Sequence, residues 1–284
     1  MKPRFRIVTD STADLPPDLC KELDITVVPL MVNFNNQSFR DGIDISSEEF
    51  FRRLSQSAQL PSTSAPSVGS FEQTYRELAK SCEGIISIHI SSKLSSTYQS
   101  AIMARDIVMP SVTQISVIDS LNVTLGLGLL VVQAAKAAKE ASNLTDLTTR
   151  INKMVPQVHL VFFVDTLEYL QKGGRIGKAR ALLGSMLNIK PILHIEDGQV
   201  VPFERTRTRA KAIEGLYNFV EDFPHIEEMA ILHTTTPDDV EALKNKVQPI
   251  FPKEKIITAT YGPVVGTYAG PGALGVVVYE GEEK

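Results

Sequence analysis

The sequence predicts an α/β protein of two domains: a parallel-sheet N-terminal domain over residues 1–155 and a mixed α/β C-terminal domain over residues 156–284. Short β-branched runs alternate with amphipathic segments along the whole chain, the pattern of a layered α/β architecture. A length of 284 residues is enough for two domains at roughly 150 residues each. The texture changes after Pro156, where Glu196-Asp197-Gly198 forms an Asp-Gly hairpin signal and so implies antiparallel pairing.

The elements follow in order. Phe5 to Thr9 reads as a first strand and Ile25 to Asn33 as a second, with a hairpin at Asn35-Asn36. Ser46-Ser47-Glu48-Glu49 is a capping box, in which Ser and Glu side chains satisfy each other's orphan amides, and it opens a helix to about Ser55. Ser57 to Pro66 is a polar loop, and Ser67 to Lys80 a helix with a second box at Ser70 and Gln73. Gly84 to Ile90 is a buried strand, Ser95 to Val108 a helix and Gln114 to Ile118 a strand. Helices over Val123 to Ala141 and Leu144 to Val155 close the first half.

In the second half, Val158 to Val164 is a strand, with helices over Leu167 to Lys172 and Ala179 to Leu187. Strands over Pro191 to Ile195 and Gln199 to Glu204 flank the Asp-Gly turn, and Ala210 to Glu221 is helical. Met229 to His233 is a strand, and Thr236-Pro237 caps the next helix with Pro at its first position. Strands near Ile256 to Thr260 and Leu274 to Tyr279 finish the chain.

Composition narrows the function. Lys plus Arg (29) against Asp plus Glu (33) gives a net charge of −4, the wrong balance for a protein that lives on nucleic-acid phosphates. The two cysteines, Cys20 and Cys82, make no disulfide framework and fit a reducing compartment. The start runs from Met1-Lys2 straight into a strand without the apolar core of a signal peptide. The most apolar stretch, Val123 to Ala138, is interrupted by Gln133 and Lys136 and falls short of a membrane span. A cytoplasmic location is expected.

Several motifs fail on inspection. Gly173-Gly174-Arg175-Ile176-Gly177-Lys178 has three residues between its outer glycines and Ala179 after the lysine, so it is not a P-loop. Gly126-Leu127-Gly128 lacks a third glycine at Val131, so the dinucleotide fingerprint is absent. No Gly-x-Ser-x-Gly elbow, His-Glu-x-x-His or Cys-x-x-Cys occurs. His89, His159, His194, His225 and His233 lie scattered in or beside strands and read as structural.

Hydroxyls concentrate instead at the carboxyl ends of strands, in Thr9-Asp10-Ser11-Thr12, in Ser91-Ser92-Lys93-Leu94-Ser95-Ser96-Thr97, and in Asp119-Ser120. In a doubly wound sheet these ends share one edge with helix N-terminal amides, a setting that suits an anionic or carbonyl oxygen. Each also reads as a helix cap. The Ser91 to Thr97 loop carries more hydroxyls than one cap requires, which favours a ligand role. Thr63-Ser64-Ala65-Pro66-Ser67 is a second hydroxyl-rich loop. The glycine-dense tract from Gly262 to Gly275 marks tight backbone geometry or a close ligand.

Together these blocks carry a resemblance. Ile7-Val8-Thr9-Asp10-Ser11-Thr12-Ala13-Asp14-Leu15-Pro16 resembles the opening signature of the DegV family. The Thr63 to Ser67 loop, Ser91 to Tyr98, Lys172-Gly173-Gly174-Arg175-Ile176 and Gly262 to Gly275 are similar to its other blocks, in order and over essentially the whole chain. The resemblance implies a two-domain DegV-like fold that buries a long-chain fatty acid such as palmitate, stearate or oleate, with no other cofactor. It implies a carrier and not an enzyme: similar proteins are the fatty-acid-binding subunits of bacterial fatty acid kinase. They present the carboxylate to a dihydroxyacetone-kinase-like partner, and the acyl phosphate enters phospholipid synthesis. By position, Thr63 and Ser95 would hold the carboxylate with Ser96 nearby, and Arg175 would face the kinase. Tyr268 stands where the family commonly has His; a tyrosine can donate a hydrogen bond but is larger than an imidazole.

Elementary energetics agree with such a ligand. About 0.8 kcal/mol per buried methylene gives on the order of 12 kcal/mol for roughly 15 methylenes before association costs, so neutral hydroxyls suffice to orient the head. Val161, Phe162, Phe163, Val164, Leu167, Leu170, Leu182, Leu183, Met186, Leu187 and Ile189 supply apolar material for a tunnel or for ordinary core. Arg205, Arg207, Arg209 and Lys211 form a basic run, either a solvated face or a dock for an acidic partner or bilayer surface. The competing reading is a hydrolase or phosphotransferase that uses the Ser91 to Thr97 loop. A lipid-responsive regulator is the third, without a DNA-reading signature.

Overall fold

A computed structural model describes residues 4–35, 37–109, 114–184 and 189–281. Strand β1 (Phe5–Asp10) is followed by helix α1 (Pro17–Glu22) and strand β2 (Ile25–Val28). The single strand expected over Ile25 to Asn33 is in fact two. Pro29 interrupts it, since proline offers no ladder donor, and β3 (Met31–Phe34) leaves for another sheet. A hairpin joins β3 to β4 (Gln37–Arg40), with Asn35 at φ 50°; Asn36 lies outside the described residues.

Helix α2 (Ser47–Gln56) begins where the capping box places it, with the Ser46 hydroxyl accepting from the Glu49 amide. The expected polar loop over Ser57 to Pro66 contains a short strand, β5 (Ser62–Ser64), antiparallel to β3 with Thr63 opposite Val32. Helix α3 (Val68–Ala79) is capped by Ser67, whose hydroxyl accepts from the Ser70 amide, and not by a box at Ser70 and Gln73. Strand β6 (Gly84–His89), helix α4 (Thr97–Val108), strand β7 (Gln114–Asp119) and helices α5 (Leu125–Ala138) and α6 (Leu144–Met154) follow.

The later elements are β8 (Val158–Phe163), α7 (Glu168–Lys172), β9 (Lys190–Glu196), β10 (Gln199–Thr206), α8 (Arg209–Glu221) and β11 (Glu228–His233). They end with α9 (Pro237–Val247), β12 (Ile257–Thr260), α10 (Pro263–Ala269) and β13 (Leu274–Tyr279). The helix expected over Ala179 to Leu187 is a 3-10 segment, Gly177–Leu182; residues 185–188, and with them Met186 and Leu187, lie outside the described residues. The β9–β10 hairpin turns at Asp197 and Gly198, both at positive φ (49° and 76°), as an Asp-Gly turn requires.

The described residues form three sheets. The first is parallel, in the order β2-β1-β6-β7, and the second is mixed, β10-β9-β8-β13-β11-β12. The third, β4-β3-β5, is antiparallel. Helix α5 lies between the first two sheets, touching β1 and β6 on one side and β8, β11 and β13 on the other. That position explains its all-round apolarity: Gln133 and even Gly126 are buried with the leucines. Along β8, Leu160 and Phe162 face α5, whereas Val161 and Phe163 face the separate core under α8 and α9, following the two-residue alternation of a strand. Among the described residues no helix is long and apolar enough to cross a membrane.

Candidate functional site

An apolar cavity, continuous with open solvent, lies where the carboxyl ends of β1 and β6 meet β8, β9, β10 and α10. Leu30, Ile90, Leu94, Val123, Leu160, Phe162, Leu170, Ile195, Val200, Val264 and Val265 form its apolar wall. Of the tunnel residues read from the sequence, Phe162 and Leu170 are in this wall, while Val161 and Phe163 belong to the opposite face of the sheet.

Three of the polar side chains that line it stand at one mouth. Thr63, Arg175 and Tyr268 line both the cavity and an adjoining outer groove that also contains Tyr169, Lys172 and Gly173. The Thr63 and Tyr268 hydroxyls lie 2.6 Å apart in a hydrogen bond, so β5 and α10, some 205 residues apart in sequence, are joined there. The Arg175 guanidinium lies 5.0 Å from the centroid of the Tyr268 ring, a cation–π distance. Its Nε donates to the Leu94 carbonyl at 3.2 Å and its Nη1 to the Gly173 carbonyl at 2.8 Å. Glycine is required at 173 because a Cβ would sit 2.3 Å from Tyr268 Cδ1. The Gly-Gly-Arg block thus provides a flat seat for the tyrosine ring and an arginine that covers it.

Ser95 also lines the cavity, its hydroxyl paired with Thr97 Oγ1 at 2.9 Å and accepting from the Thr97 amide. Ser96 is exposed at the start of α4 and is not among the lining residues. The rest of the hydroxyl loop is internal structure. Ser91 is buried and donates to the Gly198 carbonyl at 2.8 Å, which ties the loop to the β9–β10 turn.

The opening Thr-Asp-Ser-Thr block is a buried hub. Asp10 accepts from the Thr12 amide and hydroxyl, from the Ile90 amide at 3.0 Å and from His89 Nδ1 at 3.0 Å. His89 Nε2 lies 2.7 Å from the Ser87 hydroxyl, which in turn accepts from Tyr75 at 2.8 Å. Sequence reading missed this Asp-His-Ser alignment, since its members are brought together only by β1 pairing with β6. Asp10, His89 and Ser87 are all 0% exposed, which gives a substrate no approach to the serine.

Two acidic side chains, half-buried Asp14 and buried Asp41, hold α10. The Asp14 carboxylate accepts from the Gly262 amide at 3.0 Å and the Thr124 hydroxyl at 2.6 Å. Asp41 accepts from the Ser11 hydroxyl at 2.7 Å and from the Val264 amide. Burial, with the neighbouring Asp41 charge adding, pushes Asp14 well above the carboxylate range; burial likewise pushes Asp41 up to about 7. Thr124, at φ 50°, keeps a conformation costly for a β-branched residue while its hydroxyl is bound to Asp14.

Of the basic run, Arg209 turns inward, bonded to Asp239 at 2.7 Å, to Asp165 at 3.1 Å and to the Gly272 carbonyl at 2.9 Å, whereas Arg205 and Lys211 are exposed.

Comparison with known proteins places these features. A family model described as "Uncharacterised protein, DegV family" matches residues 4–281. A DegV domain-containing protein of Caldanaerobacter subterraneus is 36% identical over 285 residues, covering 98% of this chain and 99% of the relative. The fold is similar to that of a DegV family protein from Thermus thermophilus whose structure concerns fatty acid binding. The TM-score is 0.90 with 35% identity, over 98% of this chain and 99% of the other. It is also similar to DegV, a fatty acid binding protein from Bacillus subtilis, with TM-score 0.88 and 32% identity, over 97% of this chain and 99% of that one.

Proposed function

The chain belongs to the DegV family, and from that premise we propose that it binds a long-chain fatty acid and presents the carboxylate to a kinase partner. The observation that carries this reading is the cavity itself: a largely apolar interior, three of whose polar side chains, Thr63, Tyr268 and Arg175, stand at the junction with an outer groove. The acyl chain occupies the apolar part, between the hydroxyl loops of residues 1–155 and the strands and α10 of residues 156–284. Burial of its methylenes holds the ligand, so the head needs orientation more than strong pairing. The Thr63 and Tyr268 hydroxyls, bonded to each other at 2.6 Å, turn to the carboxylate, with Ser95 and the nearby Ser96 completing its contacts. Arg175, exposed on the groove side, faces the partner and the phosphoryl group it delivers. A dihydroxyacetone-kinase-like enzyme fits this role, in the cytoplasm, with the acyl phosphate passing to phospholipid synthesis.

The test is ATP turnover with purified components. The kinase, this chain and oleate together should release ADP and form acyl phosphate, and omission of any one should stop it. Release of ADP, or ester hydrolysis, by this chain alone would overturn the carrier reading in favour of a hydrolase or phosphotransferase.

A further inference from the structure

Six polar side chains of the cavity wall, Thr12, Thr63, Ser95, Thr124, Arg175 and Tyr268, each have a hydrogen-bond partner within the protein. Tyr261 does not. It is 2% exposed, it lines the cavity, and among the described residues its hydroxyl has no partner. Burial and the nearby Asp14 charge raise its ionisation far above the ordinary range, so the group is a phenol O–H and a donor.

The hydroxyl is accommodated by its neighbours. The Tyr261 amide donates to the His233 carbonyl at 2.9 Å, which fixes the residue at the end of β12. Across from it, β13 has Gly275, where a Cβ would stand 2.9 Å from the hydroxyl oxygen and 3.1 Å from the Cβ of Phe162, itself a cavity residue. Glycine at 275 thus leaves room for an oxygen that nothing in the protein uses. A buried donor without an acceptor is unfavourable, and phenylalanine would fill the same ring site without it. Helix α10 separates Tyr261 from the mouth residue Tyr268, a span of about 10 Å for seven residues. Both residues line the cavity, so a chain that extends inward from a head at Tyr268 passes the Tyr261 side of the wall.

Resting on the fatty-acid reading above, we propose that Tyr261 is a specificity residue: its hydroxyl favours acyl chains with a hydrogen-bond acceptor within the chain over fully saturated ones. The acceptor is either the π face of a cis double bond, a weak partner, or an oxygen substituent, a stronger one.

The test is calorimetric titration of wild type and Tyr261→Phe with stearate, oleate and 10-hydroxystearate. The preference of wild type for oleate or 10-hydroxystearate over stearate should exceed that of the variant by about 3- to 10-fold. Stearate should bind the variant at least as tightly. A gain confined to 10-hydroxystearate identifies an oxygen acceptor, and a gain with oleate identifies the double bond. Ratios that agree within about 2-fold in both proteins would overturn the proposal while leaving fatty-acid binding intact. Binding of none of the three by either protein would overturn the fatty-acid reading and this proposal with it. Thermal melting of the ligand-free variant is a second readout. Loss of an unused hydroxyl should leave the melting temperature unchanged or raised, and a large drop would mean that the hydroxyl is structural.

Discussion

Thr63, Tyr268 and Arg175 form one unit whose parts come from three distant blocks of sequence. The tyrosine hydroxyl reaches Thr63 at 2.6 Å while its ring is held between Gly173 and the Arg175 guanidinium. Tyrosine at 268 thus extends a donor to the mouth and offers a ring face to the arginine. Tyr268→Phe keeps the ring and removes the donor. Since hydrogen bonds to a charged group contribute about 1.5–3 kcal/mol, oleate affinity should fall about 10-fold or more, measured by calorimetry. Unchanged affinity would mean that this hydroxyl does not meet the carboxylate. Arg175→Ala should reduce acyl-phosphate formation by the kinase much more than it reduces oleate binding; an equal loss of both would assign Arg175 to the pocket.

At the scale of elements, α10 is the piece that joins the site to the rest of the fold. Its first amides are held by Asp14 and Asp41, and its far end carries Tyr268. The carboxyl of Asp41 is raised from 3.8 to about 7, so the folded state binds a proton there that the unfolded chain has already lost. The stability associated with the protonated form is complete below about pH 4 and is lost as pH rises through about 7. Asp14 is shifted in the same direction. The melting temperature of the ligand-free protein should therefore fall between about pH 4 and pH 7, and Asp41→Asn should flatten that dependence. A flat profile in wild type, or the same slope in the variant, would contradict this account of the tether.

These tethers also show what was legible in the sequence. Local chemistry was: the Ser46 cap, the Asp197-Gly198 turn and the buried strand from Gly84 follow from residues within a few positions of one another. The split at Pro29 was readable from the proline itself but was hidden by the β-branched residues around it. Strand β5 was not readable, because three polar residues become a strand only by pairing with β3. The Asp14–Gly262 bond spans 248 residues and the Asp10–His89 bond 79, and no local pattern encodes either. The resemblance to a family singled out Thr63, Ser95, Ser96, Tyr268 and Arg175, all but Ser96 of which line the cavity, whereas Tyr261 carried no signal until β12 and β13 were placed around it.

At the scale of the whole molecule, the notable feature is how little of the apolar material is free to line a cavity. Helix α5 fills the space between the two larger sheets, and alternate residues of β8 are committed to the far core. What remains is an apolar cavity bounded by β-sheet on one side and by α10 and the strand-end loops on the other. A chain of roughly 15 methylenes buried there contributes on the order of 12 kcal/mol before association costs, enough for the ligand to remain through purification. The most direct measurement is therefore organic extraction of the protein purified from a bacterial host, read by mass spectrometry against protein concentration. The account predicts close to one long-chain fatty acid per chain. An extract without fatty acid, from a protein that also fails to take up added oleate or palmitate, would contradict it.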